Sequence, residues 1–423
     1  MDMHPPLEGV RVLDFSLAWA GPMATRILSF LGADVIKIEG PTKLDSWRGP
    51  LQGNYTERYP DHEFGDKPYN RNCYFNTQNH DKRSVGVNLK HPNARELMYR
   101  FLEVCNVVVA NFSPGTMDKL GLGYPQLRSI RPDVIMVEMP AYGNTGPFSH
   151  YVGMGHNMEA MAGMPVLFGY GDSTPVLSGS AYLDPMGGYH AAAAIMTALI
   201  HRQRTGEGQY VEVPQRESAM HWEGEILLDY LDEGHFFVSN NNASPDAAPH
   251  DAYPCRGTDE WVVMAVGDDA QFRALASIMG LPHLANDERF STMAARHANQ
   301  HLLREPISRW SVNFDKHELA RKLQAAGIPA APVSNGKDVA HDPHLRDRGF
   351  FADLEHPEAG CHAYQGLPFR LSTTPGSMNE PAPRFGEDTK RVLHELLGLS
   401  TSEIAHLERI GVIATEPATG AGF

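Results

Sequence analysis

The sequence predicts an α/β protein built on a mostly parallel sheet, and three observations predict it. Short runs of β-branched residues alternate with helix-length stretches through the first ~140 residues, the pattern of strands joined by crossover helices. A second, smaller alternating unit follows a polar stretch near residue 240. The length of 423 residues leaves room for about two to four domains at roughly 100–200 residues each.

The elements follow in order. Residues 9–15 (GVRVLDF) read as a buried strand, and a loop through Gly21-Pro22 leads to a helical stretch at Met23 to Leu31. Residues 34–38 read as the second strand. Residues 43–80 are polar, carry Gly, Pro, Asn and Tyr, and show no period, so they read as a long excursion. Lys82 to Leu89 is strand-like, and His91 to Cys105 helical, with Pro92 suited to a first turn. Val107 to Ala110 is a strand, Thr116 starts a helix, and Val134 to Glu138 is the next strand. Residues 140–184 are rich in Gly, Pro and Met, and a loop of that length inside a compact domain is usually functional. An Ala-rich helix is expected over Met186 to Arg202, a strand at Tyr210 to Val213, and one long helix from Ser218 to Leu231.

The predicted domains are 1–234 (N-terminal part of a large domain), 235–252 (linker), 253–333 (small α/β domain) and 334–423 (C-terminal part of the large domain). The small domain should hold a strand at Trp261 to Val266 and helices at Asp269 to Met279 and Asp315 to Ala326. A terminal helix starts at Thr389, and the Pro/Gly/Ala-rich tail from Thr415 should fray.

Composition narrows the function. With 36 basic against 51 acidic side chains the net charge is −15, which argues against nucleic acid or an anionic membrane as a general partner. The balance of 42% hydrophobic and 21% charged residues is that of a chain with a packed core. No run of 18 apolar residues is present, so no membrane span is expected. The N-terminus, Met-Asp-Met-His-Pro-Pro, lacks the basic and apolar regions of a secretory signal. Cys73, Cys105, Cys255 and Cys361 lie far apart with no C-x-x-C pair, which points to a reducing, cytoplasmic setting. The 21 histidines form no compact cluster with metal spacing, and no metal is predicted.

Standard catalytic signatures are absent. There is no G-x-G-x-x-G after the first strand, which disfavours a dinucleotide fold of the usual kind. A Walker A sequence, H-E-x-x-H and G-x-S-x-G are missing too. One carboxylate stands out. Asp184 stands between a loop and a helix that opens Pro185-Met186-Gly187-Gly188. It suits an N-cap, because its oxygen would accept backbone N–H bonds. It also suits a nucleophile: helix N-terminal potential stabilises the anion, and glycines beside it would admit a substrate carbonyl. A carboxylate can carry acyl transfer through a mixed anhydride.

At these residues the chain resembles the class III coenzyme A transferases, the group of formyl-CoA transferase and carnitine CoA-transferase. The resemblance spans nearly the whole chain. It rests on Leu7 to Asp14, Ala20-Gly21-Pro22, Gly32 to Glu39, Lys82-Arg83-Ser84-Val85, Asn111 to Gly115, the Asp184 helix, Arg204 to Gln209, Gly327 to Val333 and Asp342-Pro343. It implies a Rossmann-like large domain formed by both chain ends, an inserted small domain, and an interlocked, ring-like homodimer. It implies transfer of coenzyme A from an acyl-CoA donor to a carboxylic acid, with Asp184 as the residue that forms an aspartyl anhydride and then an aspartyl-CoA thioester. CoA thioesters are then substrates, and no cofactor is permanently bound.

The CoA-binding positions implied by the resemblance are Leu17, Ala18, Trp19 and Ala20 after the first strand, then Lys82, Asn111, Phe112 and Lys119. Lys82 would meet a phosphate as a point charge. Gly40 replaces a basic family residue, a contact that Lys43 or Arg48 would supply instead. Candidate acyl-pocket residues, placed by position, are Tyr142, Met154, His156, Asn157, Glu159, Gly187 and Gly188. Met154, Met158, Met161 and Met164 form either an adaptable apolar pocket or core. The glycine-rich run of formyl-CoA transferase is missing, which points to an acid larger than oxalate. Two alternatives stay open: an α-methylacyl-CoA racemase type, in which His156 and Asp184 exchange a proton, and a non-catalytic acyl-CoA-binding protein. His156 stands closer to Asp184 along the chain than in the racemases.

Overall fold

The computed structural model describes residues 4–170, 174–237 and 239–422. The described chain falls into two compact units. One comprises Met1–Pro165, Val176–Phe237 and His344–Phe423, the other Val166–Pro175 and Val238–Pro343.

The first unit is centred on six parallel strands: β1 (Arg11–Asp14), β2 (Asp34–Glu39), β3 (Lys82–Val87), β4 (Val107–Ala110), β5 (Ile135–Glu138) and β6 (Tyr210–Glu212). Their order is 3-2-1-4-5-6, with the short strand Ile413–Ala414 antiparallel on the outer edge of β3. This is the order of a doubly wound dinucleotide-binding sheet, although the glycine fingerprint is absent. The central strands β1, β4 and β5 are buried on both faces, which explains their short apolar runs. Val12, Val107 and Val109 face one core, while Leu13, Val108 and Ala110 face the other.

Alternation along each strand therefore fed two cores, and strand bounds agree with the sequence to within a residue or two. Helices differ more. The helix after β1 starts at Ala20, before the predicted Met23, because Gly21 and Pro22 sit in its first turn. The predicted loop 140–184 contains the helix Gly155–Ala162. The predicted helix 218–231 is two, Gln215–Met220 and Gly224–Glu233. The described part of the tail, residues 415–422, is tied to the body of the unit. Ala418 N–H donates to Pro41 O at 2.9 Å, Leu44 N–H to Gly422 O at 2.8 Å, and Glu416 pairs with Lys67 at 2.6 Å. Composition hid these backbone bonds.

The helix Leu183–Thr205 begins three residues earlier than predicted and lies against the helix Ala20–Phe30. Gly188 is the reason the two can approach. A Cβ there would stand 2.9 Å from Ala20 O and 3.1 Å from Met23 Cβ.

The second unit has an antiparallel sheet of His250–Pro254, Trp261–Ala265 and Ala330–Pro332, packed on its own apolar core with Phe272, Leu275 and Ile307. Its first strand starts inside the segment read as a linker. The buried Arg296 donates to Ala248 O at 2.7 Å and to Phe290 O at 3.0 Å, so the polar composition of 239–252 conceals a fixed segment.

Candidate active site

A doubly wound sheet offers a crevice where the strand order reverses, outside the carboxyl ends of the strands. Here that point lies between β1 and β4. Asn111, directly after β4, bridges the two loops. Its Oδ1 accepts the Leu17 N–H and its Nδ2 donates to Leu17 O, each at 2.8 Å. The next residue, Ala18, has φ 59°, a left-handed conformation costly for a residue with a Cβ. Its N–H donates to Asp45 Oδ1 at 2.9 Å, and that oxygen also accepts the Trp47 N–H at 3.0 Å. Lys37, fully buried, stands 3.2 Å from Asp45 Oδ2. One buried carboxylate thus fixes two tryptophan-bearing turns. The rings of Trp19 and Trp47 lie 5.4 Å apart, and those of Trp47 and Tyr74 lie 5.1 Å apart.

Over these turns opens a cavity of about 1070 Å³. Nine sequence-predicted residues line it: Leu17, Ala18, Trp19, Asn111, Phe112, Met154, His156, Asn157 and Asp184. Sequence reasoning missed Trp47, Cys73, Tyr74, Gln78, Gln215 and Gln365. Four of them come from the aperiodic excursion 43–80, and its length was the one available signal.

Asp184 is the second residue of its helix, not the cap. The preceding Tyr182 already has helical angles (φ −53°, ψ −25°), and no side chain caps the end. The N-cap reading is therefore corrected, while the placement in the positive first turn stands. Ala181, three residues before it, also has a left-handed φ, 47°. A Cβ on Gly155 would stand 3.2 Å from Asp184 Oδ2, so the carboxylate lies against the start of the helix Gly155–Ala162. Burial pushes Asp184 up to about 6, opposed by His156. His156 Nδ1 is in turn 3.4 Å from Glu159 Oε2, a carboxylate with no exposed side-chain surface.

Several predicted residues are elsewhere. Gly187 and Gly188 face packed protein, not the cavity: Gly187 fits against Gln215 and Gly188 against the Ala20–Phe30 helix. Ala20 is buried in that same contact. Glu159 and Tyr142 stand outside the lining. Glu159 accepts the Ser178 N–H at 3.3 Å, and Tyr142 meets Tyr151 edge-on at 6.2 Å. Of the four methionines, Met154 and Met158 line the cavity and Met164 is core. Lys119 is exposed and outside the lining, as is Lys43.

Lys82 is the clearest correction. Its side chain has no exposed surface. Nζ donates to Asp14 Oδ2 at 3.2 Å, Asn79 Oδ1 at 2.9 Å and Pro22 O at 3.0 Å. Three acceptors use the three ammonium hydrogens, leaving none for a phosphate. Burial pushes the lysine down to about 7 against the pull of Asp14. Burial also pushes Asp14 upward, but Lys82, Lys37, Ser16 and Thr25 together hold it below the usual carboxylate range. Arg48 is likewise spent, bidentate on Glu39 at 2.6 and 2.7 Å.

The chain as a whole is similar to known proteins. The family model described as CoA-transferase family III matches residues 7–389. The chain is 32% identical over 409 residues to succinyl-CoA–D-citramalate CoA-transferase of Chloroflexus aurantiacus, covering 96% of this chain and 98% of that one. It is 32% identical over 394 residues to succinate–glutarate CoA-transferase of Agrobacterium fabrum, covering 93% and 96%. Among solved structures, a CAIB/BAIF family protein from Brucella suis superimposes with a TM-score of 0.84 at 30% identity, covering 93% of this chain and 99% of that one.

Proposed function

Because the chain belongs to CoA-transferase family III, we propose that it moves coenzyme A from an acyl-CoA thioester to a carboxylic acid, with Asp184 as the nucleophile. The observation that carries this reading is the carboxylate itself. It is half-buried, stands in a helix's first turn, and lines the cavity at the switch point of the sheet.

The chemistry balances in four steps. The Asp184 carboxylate attacks the donor carbonyl, forming an aspartyl–acyl anhydride and releasing CoA thiolate. The thiolate attacks the aspartyl carbonyl, giving an aspartyl-CoA thioester and the free donor acid. The acceptor carboxylate displaces the thiolate from that thioester, forming a second anhydride. The thiolate then attacks the acceptor's acyl carbonyl and restores Asp184. First-turn N–H groups at Gly155 and His156 are suited to hold the oxyanion formed in each step. Leu17, Ala18, Trp19, Asn111 and Phe112 hold the CoA arm, and exposed Lys43 and Lys119 supply phosphate contacts.

The nucleophile must be ionised, so kcat/KM for the thioester should fall about tenfold per pH unit below about 6 and level off above it. CoA exchange followed by chromatography from pH 4.5 to 8 measures this. A rate that climbs as the pH drops through 6 would count against a carboxylate nucleophile.

The His156–Asp184 coupling favours one second reading, proton exchange at the α-carbon of an acyl-CoA. Deuterium uptake from heavy water into a 2-methylacyl-CoA, without CoA exchange, would select it.

The reading includes the finer architecture: a large domain made by both chain ends, an inserted small domain and an interlocked homodimer. Its support is apolar surface. The helix Gly224–Glu233 has no buried residue, and Trp222, Leu228, Leu231 and Phe236 beside or on it are each more than 60% exposed. Sedimentation should give the mass of two chains, whereas a single-chain mass at micromolar concentration would remove this part of the reading.

A further inference from the structure

The cavity combines an aromatic wall with a lining whose described residues include neither lysine nor arginine. Trp19, Trp47 and Tyr74 form a continuous run of rings, with neighbouring planes tilted by 44° and 47°. Phe112 and Met158 extend the apolar surface. Among the described residues that line the cavity, none is lysine or arginine. Arg58, which is outside this lining, lies over the rings of Tyr74 and Tyr55, at 4.9 and 5.2 Å. The imidazole of the lining, His156, already faces two carboxylates, Glu159 and Asp184.

A dicarboxylic acyl group carries a second carboxylate into the site. Enclosing that charge without a cationic partner is costly, and here it would also meet Asp184. A flat aryl group has the opposite fit. It stacks offset or edge-on against tilted rings and needs no counter-charge. The two curated relatives named above act on dicarboxylic acids by their names. From this lining we infer that the present enzyme prefers an aryl-substituted monocarboxylic acyl group, held against Trp47 and Tyr74. The inference rests on the transferase reading and deepens it.

The same rings could instead stack the adenine of coenzyme A, and the test separates the two. The protein is incubated with 3-phenylpropanoyl-CoA or with glutaryl-CoA, and formation of the Asp184-CoA thioester is timed by mass spectrometry. Both donors carry the same CoA, so their ratio reports the acyl group alone. The aryl thioester should react at least about tenfold faster in kcat/KM, the size of one to two aromatic contacts. Trp47→Ala should reduce that preference to near unity, mainly through the aryl donor. Faster reaction of glutaryl-CoA would overturn the inference and leave the transferase reading intact. An equal loss with both donors in Trp47→Ala would assign the wall to the CoA base and overturn it as well. No Asp184 adduct from either donor would overturn both readings.

Discussion

Asp184→Asn and Asp184→Ala should lower CoA transfer by roughly 10⁴-fold or more, because they remove the atom that forms both covalent intermediates. The loss should appear in kcat and not in thermal stability. Asp184 makes no cap to the helix, and burial raises its pKa to about 6, so its charge is held at a cost to the fold. Equal or slightly higher melting temperatures are therefore expected alongside inactive protein. The asparagine variant is the sharper of the two, since it preserves shape and polarity. Transfer within tenfold of the wild type in that variant would leave Asp184 without a covalent role.

Lys82→Met should unfold the protein more readily, by about 3–5 kcal/mol, the usual size when one partner of a buried ion pair is removed. Asp14 would lose its nearest cation while its side chain remains without exposed surface. The loop above keeps its other anchors in the variant. Asp14 also accepts from the Ser16 N–H at 2.9 Å and the Thr25 hydroxyl at 2.7 Å, and so holds the base of the loop that carries Leu17 and Trp19. The urea midpoint should drop with little change in slope. The KM for acyl-CoA, measured on the fraction still folded, should stay near the wild-type value. An unchanged midpoint with a large rise in KM would return Lys82 to the phosphate role that the sequence suggested.

The contrast between these two residues shows what the sequence carried. Asp184 was legible because the signals around it, small polar residues before it and a proline suited to a helix's first turn after it, are local. The loops after β1 and β4 were legible because short apolar runs mark where strands stop, and the residues following them meet at the crevice. Lys82 was misread because its burial depends on Asn79 and on Asp14, 68 residues away. The sequence does not say which side of the strand it faces. Gly187 and Gly188 were misread for a related reason. Glycine permits close approach, but the approaching group is a neighbouring helix and not a ligand. Trp47 and Tyr74 left no periodic signal at all, because 3-10 turns and one six-residue helix carry that segment. The alignment of Trp47 with Trp19 depends on Asp45, which reaches both turns from within the excursion.

The most direct measurement is mass spectrometry of the protein after incubation with acyl-CoA thioesters, with hydroxylamine added as a trap. The account predicts a thioester-dependent hydroxamate on the peptide containing Asp184, and none in Asp184→Asn. Absence of any adduct during active CoA exchange, or an acyl group found instead on the cavity thiol of Cys73, would contradict it.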